Sequence, residues 1–422
     1  MDDDARHEPR AGRGRIRAGH GGDQTEAADT DQHDELLEVV HHQTASGTAW
    51  QPSSAPLHGG MARSGMWTLM GHANLFGLYD WQSPPRGNHA FASVNWAMGM
   101  VSVRAGRFET TARAMLSAEP ATVGDGGYPL LLQTGETWQG QALADRQHPH
   151  DLVMELAVLQ RVVVSDDVGF HLYIAPAGEP ALGPAAFPHR ASAFVDPIAP
   201  LSHHWQDATH ISFGVLTAGV FTRWGQLEGS WFNGREPDET RTDIEFRVPD
   251  SYAARVTVNP SSATSAQVSY GWLRSPEALD PDEDESRLTA SVSLHRPTPG
   301  NGSWTSTAAW GWNVGEGHSA LMESTLDLDE VWVVYGRAEF VQKEGDALGV
   351  PGGPYNVGAL GIGTAVYIEP IADWKTGLGI RGNFAAVPAG LAAEYGSAFP
   401  AGFVVYLNVR PARMLSMAEM HH

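Results

Sequence analysis

Cysteine is absent from the 422 residues. Its absence excludes a disulfide framework, thiolate catalysis and thiolate metal sites. Lysine is almost absent too: Lys343 and Lys375 stand alone, and arginine supplies the remaining positive charge. A net charge of −22 argues against a nucleic-acid partner. Charged residues reach only 18%, low for a soluble globular protein. No apolar run approaches the roughly 18 residues of a membrane-crossing helix, so any crossing falls to strands. The polar stretch from Met1 to Gln43 has no apolar signal region. A barrel needs export, so we expect a natural start that differs from this one, or a leader now missing.

Glycine and tryptophan are plentiful, at 47 and 14. From Met66 to Arg410 the chain alternates with period two. Tyr252, Ala254, Val256 and Val258 alternate with Ala253, Arg255, Thr257 and Asn259. Ala266, Val268, Tyr270 and Trp272 do so with Gln267, Ser269 and Gly271, and Val292 and Leu378 sit in the same apolar phase of their own segments. Such a pattern sets an apolar face against a polar one. The connections alternate as well. Short ones fall near 105–106, 165–167, 223–226, 259–263, 297–302, 327–330 and 369–373. Long ones span 81–89, 119–151, 178–210, 236–250, 275–285, 343–355 and 386–400, and 314–318 is short where a long loop is due. Eight hairpins built this way predict a closed antiparallel transmembrane β-barrel of about sixteen strands, with short periplasmic turns, long extracellular loops and periplasmic termini. Closure satisfies every backbone group in lipid. Trp67, Trp81, Trp231, Trp304, Trp332, Trp374 and Phe403 fall near strand ends, as interfacial girdles do. A soluble sandwich or propeller also alternates but leaves the loop asymmetry unexplained.

Residues 1–45 read as a disordered polar segment, 46–65 as a Pro/Gly/Ser linker, 66–410 as the barrel and 411–422 as a Met/His tail. Over 66–410 the architecture resembles bacterial outer-membrane porin-like proteins. The segments SGTAWQPSSAPLHG, DRQHPHD and HHWQDATHISFGV look like parts of an uncharacterised family of predicted outer-membrane proteins. That resemblance implies fold and location, and no activity. The expected partners are outer-membrane lipid and small solutes, with a homo-oligomer in addition. Barrels of this type commonly end on an aromatic in the last strand, whereas PARMLSMAEMHH follows it here.

Arg113, Glu155, His171, Arg255, His295, Arg337, Glu339 and Arg381 fall in lumen phase. They either pair across strands and partly fill the barrel or line an aqueous path. Histidine concentrates in the two longest loops, as His148, His150 and Asp151, and as His203, His204, Asp207 and His210. Imidazole with carboxylate suits a divalent metal ion such as zinc, nickel, copper or iron; the same residues could instead fasten the loops by hydrogen bonds. Packing of Tyr128–Leu132 against Phe187 and Trp205 would bring the two motifs within one ion of each other at the mouth. Neither a zincin helix nor a G-x-S-x-G elbow is present, so no catalytic residue is assigned. The acidic runs 235–239 and 277–285 read as hydrated surface. Met414, Met417, Met420, His421 and His422 form a soft set that suits copper, or an idle tail. The leading function is a porin-like channel for small solutes, its polar lumen narrowed by loops 119–151 and 178–210. The alternative is a metal-binding protein or metal-dependent enzyme built on the His/Asp motifs.

Overall fold

The structure is a computed structural model, and it describes residues 35–414. Sixteen strands close into one antiparallel barrel. The first four are β1 (Trp67–Gln82), β2 (His89–Ala105), β3 (Phe108–Leu116) and β4 (Val153–Ser165). Next come β5 (Val168–Gly178), β6 (Ser212–Phe221), β7 (Gly225–Asn233) and β8 (Ser251–Ser261). They are followed by β9 (Thr264–Leu273), β10 (Glu285–Thr298), β11 (Gly302–Asn313) and β12 (Gly317–Asp327). The last are β13 (Trp332–Lys343), β14 (Tyr355–Ile371), β15 (Trp374–Ala386) and β16 (Ala401–Pro411). Closure is made by β1 on β16, from Leu75 opposite Val409 to Gln82 opposite Gly402. No strand edge is then left for lipid to meet.

The alternation expected from the sequence sets the register. Val256, Val268, Val292 and Leu378 point outward, 43–64% exposed, while Arg255 on the opposite phase of β8 is 1% exposed. A one-residue slip would exchange these faces, so the pattern specifies the pairing. Trp67, Trp224, Trp332 and Trp374 are exposed towards the short-turn end, and Phe91, Trp231, Tyr252 and Phe403 towards the long-loop end. Their spacing fits two interfacial girdles.

The barrel is filled from both ends. At the short-turn end a helix over 35–43 places Leu36, Leu37 and Val40 against Trp50, Val163 and Phe221. Each fully buried leucine there contributes about 1.5–3 kcal/mol. The chain then runs inside the lumen. Arg113 donates to the Gly47 carbonyl at 2.6 Å, Gln226 to that of Thr48 at 2.8 Å and Asn259 to that of Gln51 at 3.0 Å. Gly60–Ser64 finally pairs with the start of β1. These contacts correct two expectations. Residues 35–43, expected to be disordered, are helical, and 46–58, expected to be a linker, form a lumenal insert. Residues 1–34 of the polar N-terminal segment, and 415–422 of the tail, lie outside the described residues.

From the long-loop end, residues 179–211 descend into the barrel. Their polar groups meet the inner wall: Ser192 donates to Thr307 at 2.7 Å, Asn74 donates to the Phe194 carbonyl at 2.6 Å, and Arg190 pairs with Glu323 at 2.7 Å. The two inserts touch. The Ala186 amide donates to Ser46 Oγ at 2.8 Å, and the Phe194 ring stacks on His58 at 4.8 Å.

Candidate metal centre and barrel lumen

The loop after β3 (117–152) and the loop after β5 (179–211) bring five buried histidines together at the long-loop end. The second loop forms one helical turn, His203–Gln206, followed by a 3-10 turn, Ala208–His210. Gly311 on β11 makes room for this turn, because a Cβ there would collide with the Trp205 backbone. The first loop contributes His148 and His150. Ring centroids are 4.9 Å apart for His203 and His210, 5.2 Å for His203 and His204, 5.3 Å for His150 and His210, and 5.8 Å for His148 and His204. One ring nitrogen each from His148, His203 and His204 lie within 4.8 Å of one another.

Each ring has its Nδ1 on an acceptor. His148 reaches Glu136 at 3.1 Å, His150 reaches Glu119 at 3.0 Å and His203 reaches Asp207 at 2.7 Å. His204 reaches Glu236 at 3.2 Å, and His210 the Asp207 carbonyl at 2.9 Å. With Nδ1 donating, the lone pair sits on Nε2. The Nε2 atoms of His148, His150, His204 and His210 are buried and have no hydrogen-bond partner among the described residues. A buried imidazole nitrogen without a partner costs about 1–3 kcal/mol. Imidazoles with Nδ1 on an oxygen acceptor and Nε2 free are donors of the kind that could hold a zinc, nickel or copper ion, at metal–nitrogen bonds of about 2.0–2.1 Å.

Burial, and then Arg241, hold His148 well below its ordinary range, and burial does the same for His210. Both are neutral donors. His203 is also lowered by burial, against the pull of Asp207. Burial opposes charge on His150 and His204, but Glu119 and Glu236 outweigh it and both are raised. Glu136 itself takes a left-handed backbone (φ 57°) beside Gly135 (φ 105°), and it pairs with Arg241. Gly135 cradles the His204 ring, where a Cβ would collide with it.

The two aspartates of the expected ligand set are placed differently from the imidazoles. Asp207 spends its oxygens on His203 Nδ1, on Arg190 at 2.7 Å and on the Phe187 amide at 2.9 Å. The buried Arg190 charge draws it away, so Asp207 braces the cluster instead of facing it. Asp151 lies 3.7 Å from Arg241, and burial raises its carboxyl to about 7. Sequence reasoning missed Glu119, Glu136, Glu236, Arg190 and Arg241. Glu236 belongs to an acidic run read as hydrated surface, and nothing local marks it as a histidine partner.

The eight lumen-phase residues point inward and are partnered, and all but the half-buried Glu339 are buried. Glu155 accepts from Tyr173 at 2.7 Å and pairs with Arg113 at 3.3 Å. His171 and Arg255 share Glu228. His295 meets Ser54, and Glu339 accepts from the Ser202 amide and hydroxyl. Arg337 lies between Glu323 and Asp196, and Arg381 reaches Asp196 at 2.9 Å. Asp196, on the inserted loop, neutralises two wall arginines at once.

The fold is shared with known porins. The anion-selective porin from Comamonas acidovorans matches 82% of this chain and 99% of its own at TM-score 0.51 and 8% identity. OmpF of Salmonella typhi, in complex with daunomycin, matches 83% of this chain and 100% of its own at TM-score 0.50 and 8% identity. No family model and no curated protein matches the sequence. The apolar outer face, the closed sheet and this likeness of fold define the chain as a porin-like outer-membrane β-barrel.

Proposed function

We propose that this porin-like barrel binds a divalent transition-metal ion between its two long loops, and that such an ion is the small solute it handles. The long-loop end is then extracellular and the termini periplasmic. One observation carries the reading: five buried imidazoles converge with every Nδ1 on an oxygen acceptor and four Nε2 atoms unpartnered. Loop fastening alone would use both ring nitrogens. The filled lumen favours a desolvated ion over larger solutes, because the wall arginines and glutamates are buried against the inserted segments. The loop-narrowed path of the channel reading belongs to the same proposal.

The test is metal content and calorimetric titration of the refolded barrel with Zn(II), Ni(II) and Cu(II), for wild type and for His148→Ala/His204→Ala. Wild type should retain metal after desalting, and the double variant should lose it while keeping its barrel. Equal metal content in the two would leave the histidines as loop fasteners.

A further inference from the structure

The polar lining of the lumen changes character on one side. Among the described residues, five methionines on β1–β4 face the lumen: Met70, Met98, Met100, Met115 and Met154. They are in register. Met70 is opposite Met100, His72 opposite Met98, and Met98 opposite Met115. A wall that needed only apolar filling would not require thioethers from four adjacent strands, since leucine fills space with less entropic cost.

The inserted segments bring imidazoles to these sulfurs. His41 Nε2, on the N-terminal helix, is 3.1 Å from Met70 Sδ. His189 Nε2, on the loop after β5, is 3.2 Å from Met115 Sδ. Thioether sulfur is a weak hydrogen-bond acceptor, and the lumen offers many hydroxyls and carboxylates in its place. Two independent segments nonetheless aim a ring nitrogen at sulfur. Between them is a cavity of about 70 Å³, lined by His41, Met70, His72, Met98, Met100 and His189. That is space for about two waters, or for one cation with its ligands drawn in. The arginines on the wall, Arg113 and Arg161, are paired with Glu155 and Glu109.

We propose that this chamber is a second cation site, for a soft monovalent ion of the Cu(I) or Ag(I) kind, held by His41 and Met70 on one side and by His189 and Met98 on the other, with Met115 behind His189. Thioether with imidazole is a soft donor set. Among the described residues no carboxylate lines it to balance a second positive charge, and a buried divalent ion without compensation is costly. The site is separate in residues and chemistry from the five-histidine centre. The two are neighbours: a smaller cavity is lined by His210 of that centre and by Met154, Met115 and His189 of this one. A cation passing inward would meet a donor at each stage. This path rests on the metal reading of the outer centre, whereas the inner site does not.

Ag(I), which needs no reductant, is the probe. Full-length barrels with Met414, Met417 and Met420 replaced by leucine and His421 and His422 by asparagine, so that the tail cannot bind, are loaded with Ag(I) or Zn(II) and desalted. Their metal is then counted, with heat-modifiable electrophoretic mobility as the check of folding. The parent should hold about one Ag(I) that Met70→Leu/Met98→Leu/Met115→Leu loses while its Zn(II) is unchanged, the swaps being near volume-conserving. His41→Asn, off the barrel wall, should also lose Ag(I) and covers the case of a misfolded triple variant. His148→Ala/His204→Ala should keep Ag(I) and lose Zn(II). Undiminished Ag(I) in the leucine and asparagine variants, or none in the parent, overturns the inner site. Absence of Zn(II) from the parent with Ag(I) as expected overturns the outer reading alone.

Discussion

Single residues decide whether the outer cluster is a donor set or a knot of polar contacts. Glu236 holds His204 by Nδ1 at 3.2 Å and comes from a third loop, so it orients the ring without closing the site. Replacing it by glutamine keeps the shape and removes the charge. We expect Glu236→Gln to weaken Zn(II) binding about 10- to 100-fold by titration calorimetry, the usual cost of losing such a brace. A change below about threefold would mean that Glu236 does not orient a ligand. Glu179, the first residue of the inserted loop, offers a pH prediction. Burial, only partly offset by Arg255 at 3.8 Å, raises its carboxyl from 4.5 to about 8. The folded state therefore holds this proton more tightly than the unfolded chain does. The packed loop is favoured most below pH 4.5, and that advantage is lost as pH rises through about 8. Amide exchange in 179–211 should quicken between pH 5 and 8 beyond its intrinsic rise, and Glu179→Gln should abolish the excess.

Elements act here by being inserted. The loop after β5 is held inside by charge pairs whose partners sit on distant strands: Arg190 with Glu323, and Asp196 with Arg337 and Arg381. Removing one member leaves a buried charge, at about 3–5 kcal/mol. The loop after β3 depends on backbone shape instead. Leu132, Glu136, Gln139 and Asp145 have positive φ, half of the eight non-glycine residues that do so among those described. Such residues cost about 1–3 kcal/mol each and persist only where packing imposes them. Gly135, at φ 105° under the His204 ring, admits no side chain. Gly135→Ala should therefore lower metal affinity and loosen the loop, seen as faster proteolysis between 117 and 152 with the barrel strands still protected. Unchanged affinity would show that His204 does not need its present seat.

At the scale of the molecule, a barrel wide enough for a porin channel is packed with its own chain. Sixteen strands leave a lumen that side chains alone cannot fill. Residues 35–58 and 179–211 occupy it and meet at Ser46 with Ala186 and at His58 with Phe194. The intact protein in planar bilayers should pass K⁺ and Cl⁻ poorly. Deleting 191–201, the deepest part of the inserted loop, should raise conductance sharply while heat-modifiable mobility reports an intact barrel. High conductance in the intact protein would mean that the inserts leave the lumen readily, and would favour a general solute pore.

The wall of this protein is legible in its amino-acid order. Burial with period two is a local property, so 252–259 and 266–272 reveal their faces without knowledge of their neighbours, and loop lengths reveal which ends are joined. The chemistry of the His motifs is legible too, because imidazole is a donor wherever it lies. The contents of the lumen are not. Residues 46–58 have the composition of a linker, yet their role is to offer carbonyls, at Gly47, Thr48 and Gln51, to lumenal Arg113, Gln226 and Asn259. A carbonyl is present in every residue, so no sequence pattern announces its use. The partners Glu119, Glu136 and Glu236 come from three separated positions, and Met70, Met98 and Met115 from three strands. Only closure of the sheet and descent of the loop set each beside its histidine, because contact between distant segments is decided by register and packing rather than by local order.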